Sequence, residues 1–177
     1  MNRYIRIAIV AGLALWAFYD LMNEQWLIGG LLVFVSLLLA LGFLHFSNVW
    51  SAFRKFRRGD IESANKILLE IKEPEKLKGA NRAYFHFMRG FYELHNDHPK
   101  PAILQLQQAL EAGIKTEHDR AIAHFGLAGA NFDLGRISES RIQLHKAQEL
   151  PHKENLQQKL IELELLLDQR EHGNQKK

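Results

Sequence analysis

The sequence predicts an all-α chain: two apolar membrane-spanning helices, then a solenoid of three helix pairs, then a capping helix. Three observations carry this. First, Arg82-Ala83-x-x-His86-Phe87 returns as Arg120-Ala121-x-x-His124-Phe125, and 120 − 82 = 38. The same offset relates Gly90 to Ala128, Gln105 to Gln143, Leu106 to Leu144 and Ala109 to Ala147. One step back from Gly90, Ala102, Leu106 and Ala109 lie Ala52, Ala64, Leu68 and Ile71. Small or apolar residues at one fixed period mark stacked helical units, usually a binding scaffold and rarely an enzyme. Second, Trp26 to Leu44 is apolar apart from Ser36 and its glycines, 19 residues where one membrane crossing needs about 20. Third, Leu156, Leu160, Leu163 and Leu167 fall at i, i+4, i+7 and i+11, one face of a helix.

Composition narrows the function classes. The chain has 177 residues, a net charge of +3 and no cysteine. A disulfide framework, a thiolate zinc site and a cysteine nucleophile are therefore excluded.

Taken in order, Ile7 to Tyr19 is uncharged, and it reaches spanning length with Arg6 and Asp20 at the two interfaces. No small-x-small cleavage pattern follows Tyr19, which argues against a signal peptide. Spans at about residues 5–22 and 26–46, joined by Asn23-Glu24-Gln25, make a transmembrane hairpin within residues 1–46. Arg3 and Arg6 precede it, Arg54, Lys55, Arg57 and Arg58 follow it, and no Lys or Arg lies between. Positive flanks stay inside, so both termini are expected on the cytoplasmic side of an integral, multi-pass protein.

Residues 47–171 read as the repeat domain, with copies at about 47–74, 81–113 and 117–151 and a cap at 152–171. Copy one pairs Asn48–Arg58 with Ile61–Lys72 across Gly59-Asp60, and Glu73-Pro74 ends it because the residue before a proline leaves the helical region. Copy two pairs Asn81–His95 with Pro99–Ala112; Pro99 suits a first helical turn and Gly113 a C-terminal cap. Copy three pairs Glu117–Leu134 with Ile137–Leu150 across Gly135-Arg136 and stops at Pro151. The last helix, His152 to Glu171, supplies the cap that an open array requires. Residues 172–177 are polar and expected to be disordered.

Gly59-Asp60-Ile61-Glu62-Ser63-Ala64 with Leu68, Ile71 and Pro74 resembles the second half of a tetratricopeptide repeat, as does Gly135-Arg136-Ile137-Ser138-Glu139-Ser140 with Leu144, Ala147 and Pro151. Gly90, Ala102, Leu106 and Ala109 supply the marks of the middle copy, and the resemblance covers about Phe46 to Pro151. The period of 38 departs from the usual ~34, and the aromatic usual in the middle of the first helix is displaced or missing. The resemblance implies a concave groove lined by the first helices. Phe53, Phe56, Tyr84, Phe87, Phe91, Leu94, Phe125 and Phe132 would line it and accept a peptide or an amphipathic helix of a protein partner. The alternative is that several are core, or that the last helix fills the groove. Val49, Phe53, Phe87, Phe91 and Phe125 stand where chaperone-binding repeats carry a Lys/Asn carboxylate clamp, so acidic chaperone tails are not the expected ligand.

Arg54, Lys55, Arg57 and Arg58 are candidates for anionic lipid headgroups, or else only a topology signal. This one small cluster does not suggest nucleic acid. His95-x-x-His98 with Asp97 is the only group of metal-ligand types, and such residues are common in turns without metal. His86 and His124 read as repeat-core or groove contacts. No nucleophile triad, phosphate loop or carboxylate pair stands out, so neither enzymatic activity nor a cofactor is expected. The sequence thus points to a membrane-anchored adaptor on a cytoplasmic face, by analogy in a bacterial inner-membrane assembly or envelope-biogenesis complex. The alternatives are a structural subunit with a self-filled groove or a homodimer and, as a minor one, a metal protein using His95 and His98.

Overall fold

The structure is a computed structural model that describes Gly12, Leu15, Trp16, Met22, residues 29–35 and residues 48–174. Among the described residues every regular element is helical. The chain divides into two compact units, Met1–Ser47 and Asn48–Lys177. In the first unit the described residues are helical and leave Leu15, Trp16, Leu31 and Phe34 exposed.

The expectation of an integral, multi-pass protein with cytoplasmic termini is corrected here. Among the described residues no helix is long and apolar enough to cross a membrane. Most of residues 5–22 and 26–46 lies outside the described residues.

The second unit consists of α1 (Asn48–Phe56), α2 (Ile61–Leu69), a one-turn 3-10 helix (Pro74–Lys76), α3 (Gly79–His95), α4 (Pro99–Glu111), α5 (Glu117–Asp133), α6 (Ile137–Glu149) and α7 (Glu154–Asn174). α1 pairs with α2, α3 with α4 and α5 with α6; each pair then meets the next through α2 on α3, α4 on α5 and α6 on α7. The first helices also touch in series, α1 on α3 and α3 on α5. The last helix continues to Asn174, so residues 172–174 belong to α7 and not to a disordered tail, while 175–177 lie outside the described residues.

The turns obey the 38-residue period as strictly as the helices. Gly59, Asp97 and Gly135 (97 − 59 = 135 − 97 = 38) all have a left-handed backbone, with φ of 82°, 57° and 71°. In each, the next residue's N–H donates to a carbonyl five residues back: Asp60 to Lys55 at 3.1 Å, His98 to Glu93 at 2.9 Å and Arg136 to Asn131 at 2.9 Å. The left-handed residue itself donates three back, to Phe56, Leu94 and Phe132. These bonds satisfy carbonyls that a helix end leaves open, and they turn the chain sharply enough for an antiparallel return. Asp60 then starts α2, its Oδ1 accepting the Ser63 N–H at 3.1 Å.

Packing repeats as well. Ala64, Ala102 and Ser140 are buried at one equivalent position and Leu68, Leu106 and Leu144 at another. Each of these leucines removes apolar surface worth about 1.5–3 kcal/mol from water. Gly90 and Ala128 meet the second helix of their own pair through Leu106 and Ser140, and Ala52 is buried at the equivalent position. At Gly90 a Cβ would lie 2.6 Å from Leu106 Cγ, and at Gly126 one would lie 2.9 Å from Leu106 Cδ1, so Leu106 is wedged between α3 and α5. Ser140 fills the third copy's contact differently: its Oγ donates to the Ala128 carbonyl at 2.7 Å. Two cores result, one running from Val49 to Leu127, the other joining Ala121, Ala128, Leu144 and Ala147 to the α7 stripe Leu156, Leu160, Leu163 and Leu167.

Candidate functional site

The aromatic residues of the first helices converge because Trp50, Phe53 and Phe56 recur every third position of α1 and meet Tyr84, Phe87 and Phe91 on α3. Ring centroids lie 5.1 Å apart for Trp50–Tyr84, 4.6 Å for Phe53–Tyr84, 5.6 Å for Phe56–Phe87, 5.7 Å for Phe56–Phe91 and 5.0 Å for Phe87–Phe91. Most are tilted or edge-on, the arrangement that aromatic quadrupoles favour.

The eight residues expected along the groove are not placed alike. Phe53, Tyr84 and Phe87 are buried in the first core and offer no surface to a partner. Phe56, Phe91 and Leu94 pack against that core and remain half-buried. Phe125 and Phe132 pack against the second core instead, so the eight do not form one cluster. Arg170 of α7 covers Phe132, its guanidinium 4.7 Å from the ring and its Nη1 donating to the Phe132 carbonyl at 3.0 Å. Trp50, which was not among the eight, is part of the aromatic cluster; its three-residue spacing from Phe53 and Phe56 was the available signal. The sequence pattern distinguishes aromatics from polar residues, but whether a ring faces a neighbouring helix or water depends on how pairs are staggered.

Tyr84 also ties α3 to α5. Its hydroxyl donates to Asp119 Oδ2 at 2.7 Å. Burial first, and then the bond to the Asp119 carboxylate, push the Tyr84 phenol up to about 12.

The echoed histidines are interhelical clips. His86 Nδ1 donates to Gln105 Oε1 and His124 Nδ1 to Gln143 Oε1, both at 2.8 Å and both 19 residues apart. Burial holds the His124 imidazole below its usual range, against the opposing effect of Gln143. The first junction carries a polar link that the second lacks. Arg89 Nη1 donates to Asn65 Oδ1 at 2.7 Å and Nη2 to Glu93 Oε1 at 2.9 Å. One period on, these positions are Ile103 (65 + 38), packed against the first core, and Leu127 (89 + 38), buried in it.

No family model, curated protein or solved structure matches the chain. The reading of its function therefore rests on its own residues.

The remaining expected sites are dispersed. Arg54, Lys55, Arg57 and Arg58 are all exposed at the end of α1. Lys55 pairs with Asp60 at 3.4 Å, while Arg57 lies over the Phe53 ring at 6.0 Å. Their expected headgroup contact followed from the spanning hairpin and is not carried forward with it. His95 is exposed, and His98 Nδ1 meets Glu93 Oε2 at 3.2 Å. Among the described residues no three or more His, Asp or Glu side chains are grouped to hold a metal ion.

α7 is attached by polar contacts as well as by its leucines. Arg141 Nη2 donates to Asp168 Oδ1 at 2.9 Å and to Glu171 Oε2 at 2.7 Å, and Gln148 Nε2 to Glu164 Oε2 at 3.0 Å. At its start, the Lys153 N–H points to His118 Nδ1 at 3.4 Å.

Proposed function

We propose that residues 48–174 act as a tetratricopeptide-like scaffold that holds a segment of another protein along the face made by its first helices. The observation that carries this is the division of labour within each copy. Turn geometry, small-residue contacts and His–Gln clips repeat at 38 residues and build the frame. Half-buried apolar residues that vary between copies, Phe56, Phe91, Leu94, Ile122 and Phe125, remain along α1, α3 and α5. A frame that repeats while its inner-face residues vary suits recognition of an asymmetric ligand, and half-buried aromatics supply the anchors such contacts need.

The burial of Phe53, Tyr84 and Phe87 and the Arg170 cover on Phe132 favour a second reading, a structural subunit whose groove is filled by its own chain. Site-specific photo-crosslinkers distinguish the two. Placed at Leu94 and Ile122 on first helices and at Leu104 and Ile142 on exposed faces of second helices, they should yield a discrete heterologous adduct only from the first pair. Equal adducts from both pairs, or only intrachain products from the first, refute partner binding along this face.

A further inference from the structure

The second core is closed by a helix of the chain itself. Leu156, Leu160, Leu163 and Leu167 of α7 share that core with Ala121, Ala128, Leu144 and Ala147, and Ile122, Phe125 and Phe132 of α5 pack against it. Ile122 and Phe125 belong to the first-helix face along which the partner segment is proposed to lie. α7 is therefore an amphipathic helix, with leucines at i, i+4, i+7 and i+11, seated on residues of that face. Helix-binding grooves take their ligands in this way.

Polar contacts on both edges of the stripe orient the seated helix. On α6, Arg141 Nη2 donates to Asp168 Oδ1 at 2.9 Å and to Glu171 Oε2 at 2.7 Å, and Gln148 Nε2 donates to Glu164 Oε2 at 3.0 Å. On α5, the Arg170 guanidinium lies 4.7 Å from the Phe132 ring and donates to the Phe132 carbonyl at 3.0 Å. The accepted pattern is a leucine stripe with acids along one edge and an arginine on the other.

α7 is also the helix that can leave at least cost. The side chains of Arg141, Asp168 and Glu171 are 38%, 49% and 43% exposed, and ion pairs so open to water contribute little. Its outer face carries Ile161, Leu165 and Leu166 exposed. Only residues 150–153 join it to α6, and Leu150 is extended, so α7 can undock without moving another helix.

We infer that α7 is an autoinhibitory occupant of copy three, displaced by an amphipathic helix of the partner that carries the same stripe and the same flanking charges. This rests on the scaffold reading above and gives the partner segment its chemistry. A competitor on a short tether acts at an effective concentration on the order of millimolar. The affinity of a free helix is reduced by the fraction of time that α7 leaves the seat open.

The test uses the full chain and a fluorescein-labelled peptide with the sequence of residues 154–174, read by anisotropy. A control peptide carries Leu160→Glu and Leu167→Glu. In the chain, Leu160→Glu with Leu167→Glu unseats α7, whereas Asp168→Asn with Arg170→Gln loosens it and keeps every leucine. All four substitutions lie in α7, so the unaltered peptide retains each group it uses. The peptide should bind the loosened chain about two- to fivefold more tightly than the wild-type chain, as for exposed polar contacts. It should bind the unseated chain more than tenfold more tightly, and the control peptide should bind none of them. Helical circular dichroism and the Tyr84 titration near 12 report whether the first core persists in the unseated chain; if it does not, the loosened chain alone decides. Equal affinity for the wild-type and loosened chains, or binding of the control peptide, overturns the inference. First-helix crosslinks without a gain in peptide affinity remove only the autoinhibition; the gain without heterologous crosslinks removes the scaffold reading and leaves α7 a displaceable helix.

Discussion

Replacing Gly90 with alanine sets two known effects against each other. Gly→Ala in a helix interior ordinarily stabilises by about 1 kcal/mol. At Gly90 the added Cβ would sit 2.6 Å from Leu106 Cγ, 2.8 Å from Cδ2 and 3.3 Å from the Leu106 backbone nitrogen. Cγ is a branch atom held close to the α4 backbone and cannot swing aside freely. Retreat in the other direction is blocked, because Leu106 Cδ1 already occupies the space a Cβ on Gly126 would take. Relief requires α3 and α4 to separate, an overpacking cost of about 2–3 kcal/mol. The net expectation for Gly90→Ala is a loss of about 1–2 kcal/mol and a melting midpoint lower by roughly 3–8 °C. Urea and thermal unfolding followed by helical circular dichroism measure this. The contact is isolated by a double-mutant cycle: Leu106→Ala alone should cost about 2–5 kcal/mol, and in its background Gly90→Ala should become neutral or stabilising. If Gly90→Ala raises the midpoint in the intact chain, the close approach of α3 and α4 is wrong.

Other consequences follow from the same geometry. Asp97 occupies the left-handed position that its equivalents fill with glycine, so Asp97→Gly should stabilise by about 0.5–1 kcal/mol in the same unfolding assay, while Gly59→Ala and Gly135→Ala should each destabilise. Tyr84→Phe should cost about 1–2 kcal/mol by leaving the Asp119 carboxylate without its donor, and the tyrosine titration near 12 should disappear from the ultraviolet pH profile. Burial lowers the folded-state pKa of His124 below its ordinary 6.5, so the unfolded chain binds the extra proton first. Stability should hold above pH 6.5 and fall as the pH drops below it, with a shallower fall in His124→Gln; a pH-independent unfolding midpoint from pH 7 to 5 would contradict the burial.

Much of the fold was legible in the sequence because its determinants are local and periodic. Helix pairs showed in the return of small residues at Ala52, Gly90 and Ala128 and of leucines at Leu68, Leu106 and Leu144. Helix ends could be placed to within a few residues from Asp60, Pro99 and Gly113. Stagger was not legible. Tyr84 and Phe91 share a helix and a residue class, yet one is buried and the other half-buried, because the relative displacement of α1 and α3 decides which ring faces Phe53. The hydrophobicity of Trp26–Leu44 likewise invited a spanning helix, while among the described residues none is long and apolar enough to span.

By itself, the sequence determined a period of 38, the helix pairs it implies and the leucine stripe of the last helix, since each depends on spacing along one stretch of chain. Only the tertiary structure decided that His86 and His124 clip helices through Gln105 and Gln143, and that Phe53, Tyr84 and Phe87 are core. It also set the Lys153 N–H, just ahead of α7, against His118 Nδ1 of α5 at 3.4 Å. The reason is physical: secondary structure is set by neighbours within a turn or two, whereas a site between stacked pairs is set by the rotation each pair makes on the last.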